Sequence, residues 1–383
     1  MSIIDPQLAQ NSVFEKPHNW RRWLLLALLV YVMLLAVSLI GSGFKFATGE
    51  HAKTLFSFAS NPIMGLIIGM VCTALIQSSS TVTSIIVGMV AGGLPITIAI
   101  PMMMGANIGT SITNTLVSLG HVTQKDEFQR AFNAATIHDF FNVLSVLIFL
   151  PLEIAFGILE HLSGHMVALL HTGDAIGLNG VNPIKAVTQP VTDFATQSLQ
   201  FLPSIYPGIA KVIIGIALII VSITYMGKIM KTLMVGNAKA LLHKSIGKGP
   251  LSGITSGAIM TVLVQSSSTT TSLMVPLVGS GVLNARDVYP FTLGANIGTC
   301  ITALIAAFGV VGVNSDVALQ IALVHLLYNV LGVSVIYGIP LLRNIPLTYS
   351  YKLSVKVSEH KVYGLAYIGG LFFAAPLLVI SFA

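Results

Sequence analysis

The chain opens its apolar record with "RRWLLLALLVYVMLLAVSLIGSGF" from Arg21, a run longer than the ~20 residues that cross a bilayer as a helix. Residues 62–93 are apolar too but fit no simple span. As one helix they would be roughly 48 Å long, and as two complete spans they are too short. A re-entrant hairpin fits: Pro62 to Gln77 enters, Thr81 to Gly93 returns, and the polar run "QSSST" forms the tip. Irregular backbone at that depth is tolerated only when enclosed by protein or facing a watery cavity. Residues 95–119 and 131–157 read as spans, 158–206 as an external connector with an interfacial helix, and 207–227 as a span. A second hairpin follows at 251–282, then spans at 288–313, 318–341 and 363–382, with a basic loop from 343.

The pattern repeats. "CTALIQSSSTVTS" (Cys72–Ser84) returns as "MTVLVQSSSTTTS" (Met260–Ser272), so that Gln265 lies 188 positions after Gln77. "GANIGTSIT" (Gly105–Thr113) returns as "GANIGTCIT" (Gly294–Thr302), and "HDFFNVL" (His138–Leu144) as "HLLYNVL" (His325–Leu331). Three blocks in one order, at nearly constant offset, define a duplicated unit of span, hairpin, span and span. Repeat 1 covers 21–157 and repeat 2 covers 207–342, after a cytoplasmic N-terminal segment at 1–20. The fold class is an all-α polytopic membrane protein with about seven full spans.

Charge supplies the orientation. Arg21 and Arg22 hold the first span's start in the cytoplasm under the positive-inside rule. Lys228, Lys231, Lys239, Lys244 and Lys248 mark the loop after 227 as cytoplasmic, as Arg343, Lys352, Lys356 and Lys361 mark the later one. The connector between the halves carries Glu160, Asp174 and Asp193 against Lys185 alone. The first spans of the two repeats therefore run in opposite directions, and the hairpins enter from opposite faces: an inverted-topology repeat, as in many secondary transporters.

Composition narrows the class further. Of 383 residues, 54% are hydrophobic and 8% charged, against about 25% charged in soluble domains. The net charge of +6 is spread between apolar segments rather than gathered in a groove, which argues against a nucleic-acid partner. The two cysteines, Cys72 and Cys300, sit in apolar segments and suggest no disulfide framework. His161, His165 and His171 lack the partners of a metal centre, and no Walker-type loop is present for ATP. The first apolar run is too long for a signal peptide, so the N-terminal segment reads as retained.

The chemistry lies in the polar residues that interrupt apolar runs. A lone Ser or Thr in a spanning helix bonds back to its own turn. Gln77, Ser78, Ser79, Ser80 and Thr81 face every side of a helix, and so do Gln265, Ser266, Ser267, Ser268 and Thr269. Each buried hydroxyl or amide without a partner is costly, so the tips call for each other, water or a ligand. Uncharged oxygens suit a small hard cation, while hydroxyl and N–H groups at a helix start suit an oxyanion. The glycines around Asn107 and Asn296 suggest helices unwound beside the tips, exposing Asn107, Thr110, Asn296 and Thr299 as ligands; close helix packing is the alternative. Asp139 is the one acidic residue well inside a span, a functional candidate by its burial cost, and its repeat counterpart is Leu326. His138 and Asn142, like His325 and Asn329, share a helix face and read as structural hydrogen-bonders.

Paired "QSSS" hairpins, paired "GANIGT" and the block "QRAFNAATIHDFFNVLSVLIFLPLE" (Gln129–Glu153) resemble the type II sodium-dependent phosphate cotransporters, over roughly residues 60–345. The resemblance implies a sodium-coupled importer of inorganic phosphate in the inner (plasma) membrane, working without a cofactor and with sodium as coupling ion. It implies phosphate at Gln77, Ser78, Ser79, Ser80, Gln265, Ser266, Ser267 and Ser268. Sodium would sit at Thr81, Asn107, Thr110, Asp139, Thr269, Asn296 and Thr299. Asp139 matches the aspartate that separates electrogenic from electroneutral members, which implies an extra sodium ion. A sodium-coupled carboxylate carrier, and an intramembrane hydrolase using Ser, His138 and Asp139, are the competing readings. The oligomeric state stays open, a homodimer among the options.

Overall fold

The computed structural model describes residues 20–49, 61–172, 183–245, 249–310 and 314–382. All but one residue of the N-terminal segment, and the stretches around Asp174 and Lys248, lie outside them. Among the described residues the regular structure is helical throughout, and seven helices are long and apolar enough to cross a membrane.

Repeat 1 comprises α1 (Trp20–Thr48), the hairpin α2 (Pro62–Ile76) and α3 (Ser79–Ala91), then α4 (Ile96–Thr110), α5 (Ile112–Ser118) and α6 (Lys125–Phe156). Two connector helices follow, α7 (Ile158–Thr172) and α8 (Pro183–Ser198). Repeat 2 comprises α9 (Tyr206–Ser245), the hairpin α10 (Pro250–Val264) with α11 (Ser267–Ser272) and α12 (Met274–Gly279), then α13 (Ala285–Phe308) and α14 (Ser315–Gly332). The chain ends with α15 (Pro340–Glu359), α16 (Val362–Gly369) and α17 (Ala375–Phe382). The helices break at the polar runs, with ends at Ile76/Ser79 and Val264/Ser267.

Small residues determine how these helices meet. In a membrane, association relies on close packing rather than on escape from water. On α1, a Cβ added to Gly43 would strike the Gly208 carbonyl of α9. Gly215 lies against Ala36 and Ile40, and Ser222 Oγ donates to the Leu29 carbonyl at 2.5 Å. Along these contacts the α1 number falls as the α9 number rises, so the first spans of the two repeats run antiparallel. Inside each repeat the entering hairpin helix lies parallel to the long helix that follows it. Gly69 faces Met102, Met70 faces Gly105, and Thr73 faces Gly109; in the copy Gly257 faces Phe291, Ala258 faces Gly294, and Thr261 faces Gly298.

Those glycines settle one expectation against the unwound reading. The "GANIGT" segments stay helical: α13 runs unbroken to Phe308, and α4 breaks only at Ser111, one residue past the motif. Their glycines let α2 reach α4 and α10 reach α13. A Cβ at Gly105 would collide with the Leu66 carbonyl, and one at Gly294 with the Ile254 carbonyl.

Other boundaries also move. α6 starts at Lys125 and α9 runs on to Ser245, because their polar ends remain good helix formers beyond the apolar run. The basic stretch expected as a loop from 343 is largely the helix α15, packed along α6. Its Ser350 hydroxyl donates to Asn133 Oδ1 at 2.8 Å. Its charges masked an element that tertiary contact stabilises.

Candidate functional site

The two elbows are built alike. Gln77 (φ 57°, ψ 27°) and Gln265 (φ 55°, ψ 27°) both hold the left-handed conformation, shared among described non-glycine residues only with Ser204. That backbone costs about 1–2 kcal/mol per residue, and it persists at both copies, as strained geometry does at functional sites. Ser78 and Ser266 then turn extended and cap the returning helices. Ser78 Oγ accepts from the Thr81 N–H at 3.3 Å, and Ser266 Oγ from the Thr269 N–H at 3.2 Å. The Thr81 and Thr269 hydroxyls pair with the same serines at 2.8 and 3.0 Å. Ser79, Ser80, Ser267 and Ser268 follow as buried residues at the helix start, where the N–H groups have no acceptor in their own helix.

The return arm of each hairpin packs on the opposite repeat: α3 on α13 and α14, and α11 and α12 on α5, with α12 also on α6. Polar bonds cross there: the Thr271 hydroxyl donates to Asn114 Oδ1 at 3.0 Å, Arg130 Nε to the Gly279 carbonyl at 2.9 Å, and Asn314 Nδ2 to the Ala91 carbonyl at 2.9 Å.

Behind the elbows the asparagines of the two motifs are exchanged between repeats. Asn107 Nδ2 donates to Asn329 Oδ1 at 2.9 Å, and Asn107 Oδ1 lies 3.1 Å from His325 Nε2. Reciprocally, Asn296 Nδ2 donates to Asn142 Oδ1 at 2.8 Å, and Asn296 Oδ1 lies 2.5 Å from His138 Nε2. All six residues are buried. The histidine–asparagine faces are therefore structural hydrogen-bonders, and both ends of each motif asparagine are occupied by protein. Thr110 and Thr299 donate to carbonyls of their own helices, Ala106 and Ala295, each at 3.0 Å. Of the seven positions expected to hold sodium, Asn107 and Asn296 lie in the interlock, Thr110 and Thr299 bond back to their own helices, and Thr81 and Thr269 lie at the elbows.

Asp139 stands apart from its neighbour His138 and is fully buried. Its Oδ2 accepts from the Tyr367 hydroxyl of α16 at 2.8 Å and from the Thr115 hydroxyl at 3.5 Å; Oδ1 has no hydrogen-bond partner. A buried carboxylate oxygen without a partner suits a cation. Tyr367 also lines a cavity of about 530 Å³ with Lys356, Glu359, His360 and Tyr363. No repeat signal marks Tyr367 or Asn114: Tyr367 lies beyond the duplicated unit, and the counterpart of Asn114 is Ala303.

A multi-pass helical membrane protein, assembled from a duplicated hairpin unit with capped polar elbows, is the class these features define. A family model described as Na+/Pi-cotransporter matches residues 32–169 and 209–342, the two repeats in turn. The chain belongs to that family, whose members are transporters rather than enzymes. It is 33% identical to sodium-dependent phosphate transport protein 2A of Rattus norvegicus, over 91% of this chain and 66% of the relative. It is 34% identical to protein 2B of Bos taurus, over 94% and 64%, and 32% identical to protein 2B of Homo sapiens, over 94% and 64%. The chain thus spans just under two thirds of the length of these curated relatives. No solved structure matches it.

Proposed function

We propose that this protein is a sodium-coupled importer of inorganic phosphate in the inner membrane, with the paired elbows as its midplane site. The carrying observation is the copied elbow: left-handed glutamine, serine cap and buried hydroxyls at a helix start, present once in each repeat. Phosphate would accept from Ser79, Ser80, Ser267 and Ser268 and from the free N–H groups of the returning helices, where the helix dipole favours negative charge. The relatives named as sodium-dependent phosphate transport proteins supply the substrate.

Sodium would occupy uncharged oxygens at Thr81 and Thr269 and a separate position at Asp139 Oδ1. Filling that position places positive field near the elbows, so phosphate binding becomes favourable without a lysine in the membrane. The antiparallel α1 and α9 support two repeats of opposite topology, and with them alternating access around a shared site. An ion bound at Asp139 makes the cycle electrogenic. Each net positive charge entering across 100 mV contributes ~2.3 kcal/mol to uptake.

The test is labelled phosphate uptake into proteoliposomes with and without a sodium gradient and an imposed voltage. Uptake should require sodium, rise with an inside-negative potential and resist excess dicarboxylate. Sodium-independent uptake, or competition by dicarboxylates, rules the proposal out.

A further inference from the structure

The elbows match in backbone and differ in side chain. Gln265 is buried: its Nε2 donates to the Val262 carbonyl at 2.6 Å, and its Oε1 accepts from the Thr302 hydroxyl at 3.2 Å. Gln77 is exposed, and its side chain has no hydrogen-bond partner. The residue that corresponds to Thr302 is Thr113, and Thr113 Oγ1 is enclosed without a partner of its own.

The register of the two repeats lines these residues up. Thr261 lies against Gly298, and four residues further along both helices the Gln265–Thr302 bond forms. Thr73 lies against Gly109 in the same way, and four residues on in each segment stand Gln77 and Thr113, here with the helix break at Ser111 between Gly109 and Thr113. One glutamine has swung in to its threonine; the other has swung out and left a hydroxyl stranded. A buried hydroxyl with no partner is costly, and the glutamine that corresponds in the repeat to its copy's partner is Gln77.

We infer that Thr113 and Thr302 are positioning residues for the elbow glutamines, each forming a latch that fastens in one half of the transport cycle. The inference rests on the reading of the elbows as the phosphate site. In the fastened state the amide oxygen is held by threonine and the amide nitrogen by the protein's own backbone. In the released state the NH₂ group is free to donate to an oxyanion. Two inverted copies exchange conformations when access alternates, so Gln77 fastens on Thr113 as Gln265 leaves Thr302.

The test uses the full chain in proteoliposomes, with reconstituted protein quantified and phosphate KM and maximal rate measured separately. Thr302→Val orphans the Gln265 carbonyl and is expected to lower the maximal rate about tenfold, the effect of losing roughly one hydrogen bond. Thr113→Val is the decisive variant. A packing role predicts wild-type transport, since valine replaces a hydroxyl that bonds to nothing; a latch predicts a loss like that of Thr302→Val. Thr113→Ser and Thr302→Ser keep the hydroxyl and should restore the rate.

Cysteine pairs at Gln77/Thr113 and Gln265/Thr302, with Cys72 and Cys300 replaced by alanine, should both form disulfides, read as cross-link yield on peptide mapping. Wild-type rates in Thr113→Val, or cross-linking confined to the Gln265/Thr302 pair, overturn the latch. Failure of the site reading gives a different signature: Ser79→Ala and Ser267→Ala would leave phosphate KM unchanged.

Discussion

Replacing Tyr367 by phenylalanine isolates one hydrogen bond at the buried carboxylate. Asp139 Oδ2 has two donors, Tyr367 at 2.8 Å and Thr115 at 3.5 Å, the latter at the outer limit of a hydrogen bond. Of these two donors the tyrosine is the closer and the stronger. A hydrogen bond to a charged group contributes about 1.5–3 kcal/mol, and full burial of Asp139 removes solvent screening. A cation at Oδ1 compensates part of the loss, so the lower figure applies, and ~1.5 kcal/mol corresponds to about tenfold in affinity. In proteoliposomes, Tyr367→Phe should raise the sodium concentration for half-maximal phosphate uptake by that factor. In an Asp139→Gly background the same substitution should change nothing, because its target is gone. An unchanged sodium requirement in Tyr367→Phe, or an equal shift in both backgrounds, refutes the claim that Tyr367 acts through Asp139.

Three further outcomes follow from the same geometry. Asp139→Gly should make phosphate uptake electroneutral and reduce the coupled sodium by one ion, checked by current and tracer flux on the same vesicles. Gln77→Gly relieves a left-handed glutamine and should stabilise the protein by about 1 kcal/mol while weakening phosphate uptake, whereas Gln77→Ala keeps the strain; thermal unfolding in detergent and uptake assays separate the two. Gly257→Ala drives a Cβ into the Phe291 carbonyl of α13 and should destabilise by about 1–3 kcal/mol, the ordinary effect of overpacking, seen as a lower melting temperature.

The hairpins were legible because their polar runs break a rule that membranes enforce strictly, that every buried polar group finds a partner. Asp139 stood out for the same reason. The glycines of "GANIGT" were ambiguous, since unwinding and close packing both need glycine; only the proximity of Leu66 to Gly105 and of Ile254 to Gly294 decides for packing. The basic residues of α15 obey the positive-inside pattern, which reports the side of the membrane and not the local conformation, so charge alone does not reveal the helix. The Asn107–Asn329 bond joins residues 222 apart, and no periodicity encodes such a pairing. Tyr367 had no copy and no motif to mark it, and only its contact with Asp139 gives it a role.

The exchanged amide–imidazole bonds carry a consequence for assembly. Each half completes the polar centre of the other, as two identical subunits do across an isologous contact. Expressed alone, residues 1–157 would leave the Asn107 carboxamide without His325 and Asn329, and His138 and Asn142 without Asn296. In bonding terms the molecule is a dimer joined by a tether, and the separated halves should recover an ordered centre only when both are present in the same bilayer.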